Sequence, residues 1–331
     1  HWGAPLLESR LTLIRDGALF YRGHPTAELL DRASFEDVVG LLWTGRLEPG
    51  LASVVPRLPL LHERVADSLD RMPVLERFQL VLSAKAAEDV SGFDLTAAGV
   101  RRVGTKILRM LGALTVGSTP TDLPLARMLR AGWAPRDPDA HALLDAALIL
   151  WADHELNVST FTVRCVVSAR ATPYAAVLAG LSALSGGLHG GATEQVEALF
   201  DEVERPHQAR PVLEARLRRG ERIPGLGHSL YPDGDPRSRL LLDRLAARRR
   251  ETPADAIAQA IHRECAELIE QAPNIDFATV ALRRALGLPA GSAVAIFALA
   301  RTAGWIAHAL EQYESGRLIR PRARYIGPLP D

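Results

Sequence analysis

The chain has 331 residues, 47% of them hydrophobic, enough to bury a sizeable core in one large or two modest domains. Lys plus Arg equals Asp plus Glu at 39 each, so no net field draws the chain to nucleic acid or an anionic membrane. Two cysteines, Cys165 and Cys265, both in apolar helical patterns, argue against a disulfide framework or a zinc site and fit a reducing, cytoplasmic setting. No apolar run is expected to approach a membrane span, and the first residues lack the charged-then-apolar layout of a signal peptide. Among the basic residues only Lys85 and Lys106 are lysine, so nearly all the cations are planar guanidinium groups suited to carboxylates and phosphates.

Residues 11–14 and 18–21 flank Arg15-Asp16-Gly17 and predict a small hairpin, because Asp-Gly tolerates the positive φ of a tight turn. Beyond it strand signals nearly vanish. Ser34 and Asp37 form a capping-box pattern opening a helix with Phe35, Val38, Leu41 and Leu42 on its apolar face. Residues 117–139, rich in Pro, Gly and Asp, read as a connection with a short helix around 125–129. A long helix is predicted from about Ala140 into the 160s, with Leu143, Ala147, Leu150 and His154 on one face. Another follows Pro173 and stops at Ser185-Gly186-Gly187. Thr252-Pro253-Ala254-Asp255 supplies an N-cap, an N1 proline and a first-turn acid, with Ile257, Ile261, Cys265 and Leu268 as the buried stripe. Arg301 lies on the stripe of Val294, Phe297, Trp305 and His308, where a guanidinium must meet an internal acid or an anionic ligand.

Three glycine-rich or turn-like breaks carry the chemistry: Gly186-Gly187-Leu188-His189-Gly190-Gly191, Pro224-Gly225-Leu226-Gly227-His228 and Asn274-Ile275-Asp276-Phe277. Gly and Pro at such breaks bring side chains out of helices into a cleft. His189 precedes a predicted helix start, whose dipole disfavours imidazolium and leaves a neutral hydrogen-bond donor; a turn residue is the plainer reading. His228 alone would read as a loop histidine facing water, and Asp276 alone as a helix cap. Two neutral imidazoles beside one carboxylate suit a reaction in which a proton leaves carbon while oxygens are stabilised by hydrogen bonds.

These stretches, in order with Tyr21-Arg22-Gly23, Ala152-Asp153-His154-Glu155-Leu156-Asn157, Asp235-Pro236-Arg237, Ala300-Arg301-Thr302 and Arg320-Pro321-Arg322, resemble the citrate synthase family. The resemblance runs from about Glu8 to the C-terminus, and the order and spacing of the motifs make it specific. It implies an all-α fold: a large helical domain from residues 1–190 and 288–331, with an inserted small helical domain, 191–287, carrying His228 and Asp276. Ligands of the family bind in the cleft between, and glycine-rich joints at 185–191 and 287–291 are the expected hinges.

The resemblance further implies an acyl-CoA:oxaloacetate condensing enzyme forming citrate, with acetyl-CoA as co-substrate and neither a metal nor a permanently bound cofactor. In it Asp276 removes the α-proton of the acyl thioester, His189 donates a hydrogen bond to the enol oxygen, and His228 polarises the ketone of oxaloacetate. His154, Arg237 and Arg301 hold oxaloacetate together with Arg320 from the other subunit of a homodimer or higher oligomer. Pro224, Gly225, Leu226 and Gly227 receive the adenine of coenzyme A. 2-Methylcitrate synthase, using propionyl-CoA, is the close alternative; a citrate-synthase-like ligand sensor or regulatory protein is the alternative of another class. Three departures stand out: Gly187 replaces a proline, Trp151 stands where many relatives have histidine, and Pro232-Asp233 stands where basic residues often precede Asp-Pro-Arg. Some relatives carry a helix-turn-helix segment before a start resembling Trp2-Gly3-Ala4-Pro5, so such a segment is a possible missing neighbour of this chain.

Overall fold

The computed structural model describes residues 7–328 apart from Asp70, Arg249 and the side chain of Glu63; the motif at Trp2 to Pro5 lies outside the described residues. Strands β1 (Thr12–Arg15) and β2 (Ala18–Tyr21) form the expected hairpin, with Asp16 and Gly17 at φ 51° and 69°. The hairpin expectation falls one strand short. A second tight turn at Arg22 and Gly23, both at positive φ, returns the chain as β3 (His24–Pro25), giving an antiparallel sheet in the order β1-β2-β3.

The rest is helical: α1 (Thr26–Arg32), α2 (Phe35–Thr44), α3 (Leu60–Leu69), α4 (Val74–Glu88), α5 (Ala97–Thr115), α6 (Leu125–Trp133), α7 (Ala140–Trp151), α8 (Val158–Ser168), α9 (Pro173–Leu184), α10 (Gly191–Glu202), α11 (Ala209–Arg218), α12 (Pro236–Ala246), α13 (Pro253–Ile269), α14 (Ile275–Ala285) and α15 (Ser292–Ser315). Local chemistry sets several starts as anticipated. Ser34 and Asp37 form a reciprocal capping box on α2, and Thr252 and Asp255 form one on α13 behind Pro253.

The long helix predicted from Ala140 into the 160s does not exist. α7 ends at Trp151 and α8 starts at Val158, capped by Asn157 Oδ1 accepting from Thr160 N at 2.9 Å; Glu155 between them takes φ 52°. The reason is non-local. The last carbonyls of a helix need partners, and here tertiary donors supply them: Tyr21 Oη to Ile149 O (3.0 Å), Arg301 Nε to Trp151 O (2.9 Å) and Gly304 N to Ala152 O (3.1 Å). His154 therefore sits in a bend beyond α7, not on a helical face.

α15 corrects a second expectation. This helix of 24 residues, with mean hydropathy 1.5 over an 18-residue window, is long and apolar enough to cross a membrane by length and composition, yet 94% of that window is buried. It is the central core helix, packed on α2, α5, α7, α8 and α9. On one side of this core α10, α12 and α13 pack around α14, and α11 packs on α13; α12 touches α7 and β2, while α14 touches α15. The end of α7, the start of α12, the start of α14 and the middle of α15 are thereby brought to one place.

Gly304 is where α15 passes the end of α7. A Cβ there would overlap Ala152 O and the Asp153 side chain, neither of which is a flexible tip. Gly304→Ala should cost about 2 kcal/mol by overpacking, read as a lower urea midpoint at unchanged m-value. A midpoint equal to that of the parent would show that the two helices are not held this closely.

Candidate active site

Arg301, 1% exposed, projects from the core helix α15. Its Nε bonds Trp151 O, but its Nη1 is buried without a partner, and no carboxylate lies within ion-pair distance among the described residues. Burial pushes this guanidinium down to about 10, with Asp153 opposing the shift and Arg237 adding to it. Arg237, 2% exposed in the first turn of α12, is paired bidentately with Asp235 (Nε to Oδ1 2.9 Å, Nη2 to Oδ2 2.7 Å). Asp235 also accepts from Arg237 N and from Ile275 N at 3.1 Å, so one buried carboxylate caps α12 and ties it to the start of α14. Arg237 is therefore not the solvated charge that its Asp-Pro-Arg motif alone would suggest, and Arg301 is buried as its apolar stripe implied.

Three imidazoles stand beside this pair. His154, 6% exposed, shares a 2.9 Å hydrogen bond between Nε2 and Tyr231 Oη, and its ring meets that of His228 edge-on at 5.2 Å. Nδ1 of His228 accepts from Leu230 N at 3.2 Å, which places the proton of the neutral ring on Nε2 and makes that nitrogen a donor. His189 Nε2 lies 2.8 Å from Ser159 Oγ, which also takes the Trp305 indole N–H (3.2 Å) and faces Asn157 Oδ1 (2.9 Å). Trp305 can only donate; the Ser159 proton goes to Asn157 or to His189, and in the second case His189 carries its own proton on Nδ1.

All three rings are biased to the neutral form. Burial, followed by the Arg301 charge, lowers His189 to about 4; burial, followed by Arg237, lowers His228 to about 4. Burial and the charges of Arg237 and Arg301 take His154 well below its ordinary range. The neutral state anticipated for His189 from the helix dipole thus rests chiefly on burial and a neighbouring cation.

Asp276 occupies the second position of α14, half-buried. Its capping role is taken by Asn274, whose Oδ1 accepts from Asp276 N (3.1 Å) and Phe277 N (3.4 Å), so the Asp276 carboxylate remains free for another task. Its Oδ1 accepts from Thr193 Oγ1 at 2.7 Å, while burial raises its pKa against that bond and the Arg237 charge. The loop of residues 224–228 is zipped to the approach to Asp276. Gly227 N bonds Ala272 O and Asn274 N bonds Gly225 O, both at 2.8 Å, around a bridge between Leu226 and Pro273. Gly225 and Gly227 take φ 79° and 66°, which side chains resist. Leu226, Gly227, His228, Ile223 and Gln271 line a cavity of about 570 Å³ beside this loop, whereas Pro224 is half-buried outside that lining.

His154, His189, His228, Arg237, Arg301 and Asp276 are therefore linked by contact or by mutual electrostatic influence. Arg320 is not: it lies exposed on the segment after α15, next to Ile319, whose N bonds Ser168 Oγ. Sequence reading missed Tyr231, Ser159 and Thr193, each a partner of a site group across a long sequence interval. It quoted Asp235 in Asp-Pro-Arg without giving the carboxylate a role.

The sequence profile described as citrate synthase, C-terminal domain, matches residues 1–322. The chain belongs to the citrate synthase family. It is 31% identical to citrate synthase 2 of Bacillus subtilis, over 98% of this chain and 95% of that protein. It is likewise 31% identical to 2-methylcitrate synthase of Mycobacterium tuberculosis H37Rv, over 94% of this chain and 85% of that protein. Its fold superposes with TM-score 0.83 and 26% identity on citrate synthase of the thermophilic archaeon Thermoplasma acidophilum in ternary complex with carboxymethyl coenzyme A and oxaloacetate, covering 99% and 95% of the two chains. This citrate synthase family member is thus a condensing acyltransferase with the mostly helical fold of the family.

The depressed histidines set a pH dependence. Between the ordinary histidine value near 6.5 and about 4 for His189 and His228, the unfolded chain binds protons that the folded chain refuses. Their contribution to stability is complete above about pH 6.5 and is lost as pH falls toward 4. Urea unfolding at about pH 7 and pH 5 should show a smaller difference in His228→Gln than in the parent. An identical difference would mean that His228 is not held neutral.

Proposed function

We propose that this enzyme condenses acetyl-CoA with oxaloacetate and water to give citrate and CoA. The observation that carries the reading is the pair of buried guanidinium groups, one with an unpartnered Nη1, set beside neutral imidazoles and a carboxylate whose capping duty Asn274 has taken over. A dianion such as oxaloacetate matches two converging cations, and forked guanidinium-to-carboxylate hydrogen bonding explains the choice of arginine. The Thermoplasma relative is complexed with oxaloacetate and a coenzyme A analogue, which supports both substrates.

In this mechanism Asp276 removes a proton from the acyl methyl carbon while His189 donates a hydrogen bond to the enol oxygen. The Nε2–H of His228 polarises the ketone of oxaloacetate, and the enol carbon attacks the ketone carbon. Water then hydrolyses the thioester, releasing CoA as the thiol. His154, Arg237 and Arg301 hold the oxaloacetate, with Arg320 of the partner subunit completing the set in a homodimer. Exposed apolar side chains at Phe93, Val158 and Leu188 support an assembly. The cavity beside the 224–228 loop is the assigned adenine site, and two free cysteines agree with a reducing, cytoplasmic setting.

Residues 191–287 form the small domain of this reading, contributing His228, Arg237 and Asp276; residues 1–190 and 288–331 contribute His154, His189 and Arg301. Oxaloacetate touches both and favours closure. Gly287 and Gly291, at φ 62° and 80°, are suited to one hinge and the 185–191 segment to the other. A second reading, 2-methylcitrate synthesis from propionyl-CoA, is favoured equally by the 31% identity to the mycobacterial enzyme, because one methyl group is worth only about 1–3 kcal/mol of discrimination.

A thiol-release assay with oxaloacetate against acetyl-CoA and propionyl-CoA decides between them. Turnover should be faster with acetyl-CoA, and Asp276→Asn should lower kcat roughly 10²- to 10⁴-fold while oxaloacetate binding persists. Preference for propionyl-CoA would transfer the assignment to 2-methylcitrate, and normal turnover in Asp276→Asn would remove Asp276 as the base.

A further inference from the structure

Trp151, the last residue of α7, is 3% exposed, and four elements meet on it. Its indole N–H donates to Thr279 Oγ1 of α14 at 2.8 Å, three residues beyond Asp276. Its ring stacks on Phe297 of α15 with centroids 3.8 Å apart. The guanidinium carbon of Arg237 on α12 lies 5.7 Å from the indole centroid, and that of Arg301 on α15 lies 5.8 Å from it. Its own carbonyl takes the Arg301 Nε–H.

Two like charges in a dry region repel each other, and Asp235 is the direct counter-ion of Arg237 alone. The indole lies near both guanidinium groups, with Tyr231 also beside Arg237 and Phe297 beside Arg301, and it attracts both without neutralising either, so the pair is held in place yet remains available to an anion. We propose that Trp151 is a positioning residue that joins the anion pocket to the base: its ring fixes the separation of Arg237 and Arg301, and its N–H holds α14 so that Asp276 is set against them. The inference rests on the functional reading above for the roles of those three residues. The coupling has a direction. An anion held by the two guanidinium groups bears on the ring they share, and the ring bears on the first turns of α14 through Thr279, whose hydroxyl also donates to Ile275 O at 2.7 Å.

Ring and N–H are separable by substitution. Trp151→Phe keeps an aromatic ring and loses the donor; Thr279→Val keeps the ring and loses the acceptor; Trp151→Leu loses both ring and donor; Thr279→Ser restores the acceptor. Hydrogen exchange of the α14 amides, measured without substrate, should accelerate roughly five- to tenfold in Trp151→Phe and Thr279→Val and return to the parent rate in Thr279→Ser. In the thiol-release assay the first two variants should lose about tenfold in kcat with the KM for oxaloacetate within about threefold of the parent, whereas Trp151→Leu should also raise that KM about tenfold. Unchanged α14 exchange in both Trp151→Phe and Thr279→Val would overturn the tie to the base, and a parent-like KM in Trp151→Leu would overturn the role of the ring. Parallel losses in kcat and KM that follow the melting temperature across all variants would make Trp151 an ordinary core residue. A parent enzyme inactive with either acyl-CoA would sink the functional reading, while the exchange pattern would still decide what Trp151 does.

Discussion

A guanidinium group withdrawn from water needs compensation, and Arg301 is withdrawn almost completely inside the most buried helix of the chain. Much of the neighbouring architecture follows from that one constraint. Arg301 Nε terminates α7 by taking the Trp151 carbonyl, Asp153 supplies a compensating field from the bend beyond, and His154 is carried by the same bend. The compensation is incomplete, since Nη1 keeps no partner. A stable fold tolerates such a deficit where a ligand supplies the missing charge, which is the part proposed for the oxaloacetate carboxylates.

The second cation is handled differently. Arg237 is paired bidentately with Asp235, and the same carboxylate receives the first amide of α14. Because the 224–228 loop is laced by backbone bonds to residues 272–274, His228 and Asp276 ride on one joined segment. The proposed electrophile, His228, and the proposed base, Asp276, thus keep a fixed separation, in the way proximity requires if they are to act within one turnover. The histidines need no separate device to remain neutral: the burial that disfavours Arg301 also disfavours imidazolium, and both arginines reinforce it.

What the sequence made legible was local. The Asp-Gly turn, the Ser34 and Thr252 capping boxes and the apolar stripe bearing Arg301 all lie within a few residues of their causes, and each is present. The glycine-flanked histidines and the Asn-Ile-Asp stretch were visible as motifs through the family resemblance. The misses were non-local. Periodicity carried His154 onto a helix because the donors that end α7 come from Tyr21, Arg301 and Gly304. The third strand has only two residues, too short for an alternating pattern. Asp276, read as a cap only when taken alone and as the base through the resemblance, leaves the capping bonds to Asn274 two residues before it. Tyr231, Thr193 and Ser159 bear no motif, and their importance arises only from partners 77, 83 and 30 residues away.

If the unmatched guanidinium is the organising constraint, the protein should distinguish one negative charge from two. Calorimetric titration of oxaloacetate and of pyruvate, its analogue lacking the second carboxylate, reads this directly in the parent and in Arg301→Leu. Oxaloacetate should bind the parent and raise its melting temperature, pyruvate should do neither at the same concentration, and Arg301→Leu should weaken oxaloacetate about a hundredfold. Equal binding of the two acids, or oxaloacetate affinity unaffected by loss of Arg301, would contradict the account.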